Sequence, residues 1–309
     1  MNLPDNLPDA PQLLQLAFTF AAASVILINA IPPFQRRFIP YGKVATPAGD
    51  ASSSPPPSTN PISKLLDLLA TFTVPHSYFE HFYIAGILSS LFWAWQIFTH
   101  GPVYQFLAAR CPTGNGMSIH QVALVWLCFL AQLIRRFYEC RFIQKKGTSR
   151  MWITHYLLGI AFYVLMSTAI WIEGTDAISS YTFTPLSVAA LLRDPSLKTC
   201  IGFIPFVLAS GLQHDAHAYL ASLKKYSLPE HPMFYKLVCP HYLAEVIIYA
   251  SLMVLAAPKG VWLNLTIWSG MVFVVCNLGV SSSHTRAWYE KKFGRDAVAR
   301  KWNMVVGIY

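Results

Sequence analysis

The polar residues capable of chemistry are few, and they recur in short groups along an otherwise apolar chain. Glu80 and His81 are adjacent, Arg135 and Arg136 precede Glu139 by about one helical turn, and His155 is followed by Tyr156. Gln213, His214 and His217 fall at helical spacing, as do His241, Tyr242 and Glu245, and Asn277 and His284 complete the set. Imidazole, carboxyl and phenol groups can donate to a carbonyl oxygen or move a proton, and guanidinium groups pair with phosphate. An ionisable group at the centre of a bilayer costs about 2.5–3.5 kcal/mol on insertion scales, so each one inside an apolar segment is a functional candidate. Polar residues close to a helix end also arise because they reach the interface, and Arg135 and Arg136 suit lipid headgroups as well as a bound phosphate.

Glu245 is harder to explain as an interfacial residue. It stands about seven residues inside its apolar window, roughly 10 Å at 1.5 Å per residue. It shares a helix face with His241 at the i, i+4 spacing. A carboxylate at that depth requires a partner, either a histidine or the amide of a ligand. QHDAH (213–217) and HYLAE (241–245) also place possible metal ligands at helical spacing. The chain lacks the doubled histidines of a membrane di-iron site, and no metal is expected.

The elements that position these residues follow from composition. The 309 residues are 54% hydrophobic and only 12% charged, with a mean hydropathy of +0.42. Soluble domains carry about a quarter charged residues, so this chain is expected to be an integral membrane protein. About seven windows approach the roughly 20 apolar residues that a spanning helix needs, near 12–31, 78–98, 118–138, 152–172, 198–219, 238–257 and 261–283. The expected fold is all-α, one membrane domain of seven transmembrane helices enclosing a cavity open to the cytosol. The amino-terminal flank MNLPDNLPD is acidic and its apolar run is long, so the first window reads as a retained helix rather than a signal peptide. Residues 45–61, rich in Ser and Pro, read as a cytosolic linker.

Charge sets the expected orientation. Of 23 basic residues, all but Arg110, Arg193, Lys198 and Lys259 fall in loops on one side of that arrangement. The positive-inside rule puts that side in the cytosol, with the amino terminus lumenal and the carboxyl terminus cytosolic. This placement accounts for the net charge of +9 without a nucleic-acid partner. The Asn264-Leu265-Thr266 sequon then falls on the lumenal side, abutting the last helix, and is expected to stay unmodified. Six cysteines without a CxxC pair suggest packing rather than disulfides or zinc. No GxGxxG, Walker or GxSxG motif is present, so a nucleotide would have to be held by basic and amide groups within the membrane domain.

Several stretches together resemble the steroid 5α-reductase family, and within it the polyprenal (polyprenol) reductase branch. They are VPHSYFEHFY (74–83), LIRRFYEC (133–140), HYLLGIAFY (155–163), QHDAHAYLASLK (213–224), YSLPEHPMFYKLVCPHYLAEVIIY (226–249) and TRAWYEKKFG (285–294), covering most of the chain from about residue 34. The chain departs from the steroid-reducing members at His81, where they carry a glutamate, and at Cys239-Pro240-His241, where they read Gly-Ala-Asn. Its tail, KWNMVVGIY, also lacks the proline of the usual RWKMIPFIF form.

The resemblance implies an NADPH-dependent reduction of a carbon–carbon double bond conjugated to a carbonyl. Hydride delivery to the β-carbon requires an acid at the carbonyl oxygen, and an isolated alkene would not accept hydride. The implied substrate is therefore polyprenal, a long-chain polyprenyl lipid, in the endoplasmic reticulum membrane on the route to dolichol for protein N-glycosylation. Reduction of a very-long-chain trans-2-enoyl-CoA or a 3-oxo-4-ene steroid are the alternatives. By motif position, Glu80 and His81 resemble the acid pair, with His81 preferred for polarising the carbonyl and Tyr138 or Tyr156 assisting. Arg135, His217, Lys224, Tyr226, His241, Glu245 and Tyr289, with Asn277 and Arg286, match the family's cofactor-binding set. The cofactor part is expected over 198–309.

Overall fold

The computed structural model describes residues 8–39, 60–114, 116–145, 147–191, 195–224 and 227–309. The expected linker lies outside these residues up to position 59. Helices dominate: α1 (Ala10–Ala30), α2 (Pro32–Phe38), α3 (Pro61–Thr71), α4 (Glu80–Phe98), α5 (Pro102–Ala108), α6 (Ile119–Tyr138), α7 (Ile153–Ile172), α8 (Thr175–Ser179), α9 (Pro185–Ala190), α10 (Leu197–Ser222), α11 (Pro240–Leu255) and α12 (Leu265–Phe293). Their starts are written locally. Asp9 and Gln12 form a reciprocal capping box on α1, Ser118 and Gln121 do the same for α6, and Ser196 and Asn264 cap α10 and α12.

Every apolar window of the sequence is helical, but not every helix qualifies as a span by length and apolarity. Among the described residues four do: α1, α6 with its continuation to Ile143, α7 and α12. The segments His76–Phe98 and Pro102–Ala108, bent by 86° at the break between them, make a fifth crossing if they act as one. The break sits at His100, whose φ of 46° is in the left-handed region. The other two windows fall short for visible reasons. In α10 the run Gln213-His214-Asp215 and His217 lowers the apolarity, and α11 has only 16 residues. The all-α expectation holds, with one short ladder as its exception: Thr73–Pro75 (β1) pairs antiparallel with Arg150–Trp152 (β2). That short ladder ties the entry of α4 to the entry of α7.

Contacts define two ends of the bundle. At one end Phe38 stacks on Trp152, β1 meets β2, His284 reaches Asn29, and the ends of α6 and α10 meet the start of α11. At the other, Gln121 donates to the carbonyls of Leu255 and Ala257, and Lys198 holds those of Ala257, Pro258 and Val261. Between them Phe129, Leu133, Met166, Trp171, Ile248 and Leu252 are wholly buried. Large apolar side chains such as Phe20, Leu88, Leu157 and Leu208 point outward, as lipid-facing positions do. All six cysteines are free.

Candidate active site

At its last turn α6 departs from regular geometry, and Glu139–Ile143 form a π-turn, a feature frequent at functional sites. The turn drives Glu139 inward until it is 0% exposed. A bare carboxylate there would be prohibitively costly, and four side chains satisfy it. Arg135 and Arg136 donate to its two oxygens, while His214 and His217 place Nδ1 at 2.9 and 2.8 Å from Oε1 and Oε2. Arg136 Nη1 also lies 2.7 Å from His217 Nδ1. One ring nitrogen cannot accept from Arg136 and donate to Glu139 at once. We assign the donor role, since a charged acceptor makes the stronger bond and Arg136 already has Glu139 and the Tyr83 hydroxyl, the latter 3.1 Å from its Nε.

The network continues into α11. Arg135 Nη2 donates to Gln132 Oε1 at 2.7 Å and to Gln213 Oε1 at 2.5 Å. The amides of Gln213 and Gln132 in turn donate to Glu245 Oε2, the second at 3.4 Å. His241 packs its ring 5.4 Å from that of His217 and 4.4 Å from that of Tyr242. Arg135, His217, His241 and Glu245 are therefore brought together between α6, α10 and α11, as the sequence suggested. Arg135 keeps Nε buried with no partner among the described residues, and His214 remains 38% exposed on its side chain.

A second group lies on α4 and α7. His81 Nδ1 is 3.1 Å from the Tyr156 hydroxyl, with the Tyr78 ring 4.6 Å from the imidazole. Glu80 faces Arg141 at 3.9 Å. The two groups share scaffolding: the π-turn carries Glu139 to the first and Arg141 to the second, and Tyr83, two residues after His81, contacts Arg136. Tyr138, by contrast, is 52% exposed on the outside of α6.

The remaining expected residues lie elsewhere. Lys224 is exposed beyond α10, and Tyr226 lies outside the described residues. Asn277 lines an apolar cavity of about 320 Å³ between α1, α7 and α12, with Phe18, Phe162 and His155. Tyr289 is buried with Val238, Cys239 and Val298 in a small separate core. Arg286 spends its guanidinium on the tail and on Glu290, reaching the carbonyls of Lys301 and Val298. It borders a second cavity of about 440 Å³ with Arg300, Lys301 and Trp302, where burial moves the Lys301 ammonium below its usual pKa against the opposing pull of Glu230.

Gln132, Tyr83 and the central role of Glu139 were not singled out from sequence. The spacing Gln132–Arg135–Arg136–Glu139 was the available signal for a polar face on α6.

A family model described as 3-oxo-5-alpha-steroid 4-dehydrogenase matches residues 176–306, which hold α10 to α12 and most of the tail. The chain is 29% identical over 286 residues to polyprenal reductase of Saccharomyces cerevisiae, covering 92% of this chain and 90% of that one. It is 27% identical to polyprenal reductase 2 of Oryza sativa subsp. japonica, over 90% and 92%. To the Homo sapiens polyprenal reductase it is 25% identical, over 72% and 74%. The domain match on the carboxyl-terminal helices and the near full-length likeness to these reductases agree with the motifs quoted above, and they make the chain similar to the steroid 5α-reductase family and to its polyprenal reductases.

Proposed function

We propose that this chain is a membrane oxidoreductase that reduces the α,β double bond of polyprenal with NADPH, giving dolichal on the way to dolichol in the endoplasmic reticulum. The observation that carries the reading is the His81–Tyr156 pair beside a buried network of arginine, glutamate and histidine side chains, in a chain that matches a polyprenal reductase over nine-tenths of its length.

The pair suits an enolate-forming step whichever tautomer it holds. If His81 carries its proton on Nδ1, it donates to the Tyr156 oxygen and leaves the phenol O–H for the substrate carbonyl. If the proton is on Nε2, Tyr156 donates to Nδ1 and the imidazole offers Nε2–H instead. One donor remains in either case, which is what stabilising charge on a carbonyl oxygen requires.

The residues present also fit a nicotinamide nucleotide. The cofactor supplies the hydride. Glu245 and Gln213 offer an acceptor and an amide to a carboxamide, His241 and His217 flank them, and the spare Nε of Arg135 offers a donor to an anionic group. The cavity between α1, α7 and α12, walled by Phe18, Leu158, Phe162 and Phe273, has the apolar lining that an isoprenoid chain needs. In this reading all seven helical windows cross or enter the bilayer. The end bearing the polar clusters opens to the cytosol, the amino terminus is lumenal, and residues 198–309 form most of the cofactor site.

The test is NADPH oxidation by the purified chain with polyprenal, a trans-2-enoyl-CoA or a 3-oxo-4-ene steroid. Polyprenal should be turned over preferentially. Preference for the thioester or the steroid would replace this substrate assignment by one of the alternatives.

A further inference from the structure

Helix α3 packs with its polarity reversed. At 100° per residue, Ser63, Asp67, Thr71 and Lys64 fall on one arc of the helix, and Ile62, Leu65, Leu66, Leu68 and Leu69 occupy the rest. In a water-exposed protein the apolar arc would face the core. Here the polar arc is the one turned to a neighbouring helix: Arg37 of α2 donates to Ser63 Oγ at 2.8 Å and to Asp67 Oδ1 at 2.6 Å. None of the helix is buried, and Ile62, Leu65 and Leu68 are each more than half exposed, as is Phe72 just beyond it.

Its surroundings identify what lies against that face. The helix packs on α2, which itself packs on α1, and its carboxyl end is held at the entry of α7: Trp152 Nε1 donates to Leu69 O at 3.0 Å and Ile153 N to Phe72 O, just past the helix, at 2.8 Å. Both α1 and α7 have the length and apolarity of membrane spans, so α3 is fastened where two spans begin or end. Its 11 residues measure roughly 16 Å, too short to cross a bilayer. Trp152, stacked 4.1 Å from Phe38, is the kind of side chain that settles at the headgroup level. Lys64 on the polar arc can extend to the headgroups.

We propose that α3 is an in-plane amphipathic helix whose Ile62, Leu65 and Leu69 face is seated in the acyl region of one phospholipid leaflet. Its polar arc is turned back onto α2. The lipid contact holds the helix, and through Leu69 holds Trp152, which with Ile39 lines the cavity between α1, α7 and α12. The leaflet thereby becomes part of the wall beside that cavity.

The experiment places a single fluorescent non-canonical residue at Leu65, Leu69 or Lys64 of the full chain in phosphatidylcholine vesicles. The quenchers are lipids with a doxyl group near the top of the acyl chain, and aqueous iodide. Probes at 65 and 69 should lose their emission to the doxyl lipid and keep it in iodide, and the probe at 64 should show the opposite order. Iodide quenching at all three positions would overturn the proposal. So would protection of 65 and 69 from both quenchers, which is the result for a second copy of the chain covering that face. Each labelled chain should keep the melting temperature of the parent chain in detergent, which shows that it folds.

Discussion

Glu139 illustrates how much of this site rests on one side chain. It is fully buried and is the shared acceptor of two arginines and two histidines. Removing one member of a buried ion pair leaves its partners uncompensated and typically costs about 3–5 kcal/mol. Glu139→Ala should therefore lower thermal stability in detergent sharply, and a melting temperature near that of the parent chain would show that Arg135 and Arg136 find other partners. His81 behaves differently in this account, because it faces the reaction rather than the scaffold. His81→Ala should reduce turnover by about 10²-fold while leaving the NADPH dissociation constant unchanged. A folded variant with normal turnover would restrict His81 to bonding Tyr156, and Glu80 would become the acid to test. The pairing of Arg135, His217, His241 and Glu245 was legible because helical spacing already placed them at one depth. Gln132 and Tyr83 were not, since a neutral amide or phenol in an apolar run carries no signal until its partner is known.

At the scale of elements, apolar runs located the helices well, while the departures from regularity escaped. The π-turn at Glu139–Ile143, the β1–β2 ladder and the bend at His100 each involve only a few residues, and periodicity over 11–18 positions cannot register them. Yet the ladder aligns α4 with α7, bringing His81 to Tyr156, and the π-turn supplies both Glu139 and Arg141. The start of α12 shows a local signal with two readings. Asn264 belongs to a glycosylation sequon, but its side chain is 0% exposed and its Oδ1 accepts from Ile267 N at 2.9 Å, capping the helix. Thr266 is equally buried and bonds Glu173. Endoglycosidase treatment should leave the mobility of the native chain unchanged, and a downward shift would mean that Asn264 is not held in this cap. Asn264→Ala should cost about 1 kcal/mol of stability through the lost cap.

For the whole molecule, the asymmetry of basic residues and the two sets of end contacts support the same division. The polar clusters share the end rich in Arg and Lys, and Lys198 and Lys259 lie at the opposite one. A cleavable tag inserted within 45–61 should be digested by protease added to sealed microsomes. Protection of that tag would reverse the orientation and close the cytosolic route to the nucleotide. The central claim is that hydride goes to the β-carbon rather than to the carbonyl carbon. It is tested most directly by supplying polyprenal with NADPH deuterated at the transferring position and locating the label in the product by mass spectrometry. Deuterium on the β-carbon of a saturated α-isoprene unit is the predicted result. Deuterium on the carbinol carbon of an alcohol that still holds its α,β double bond would contradict the account.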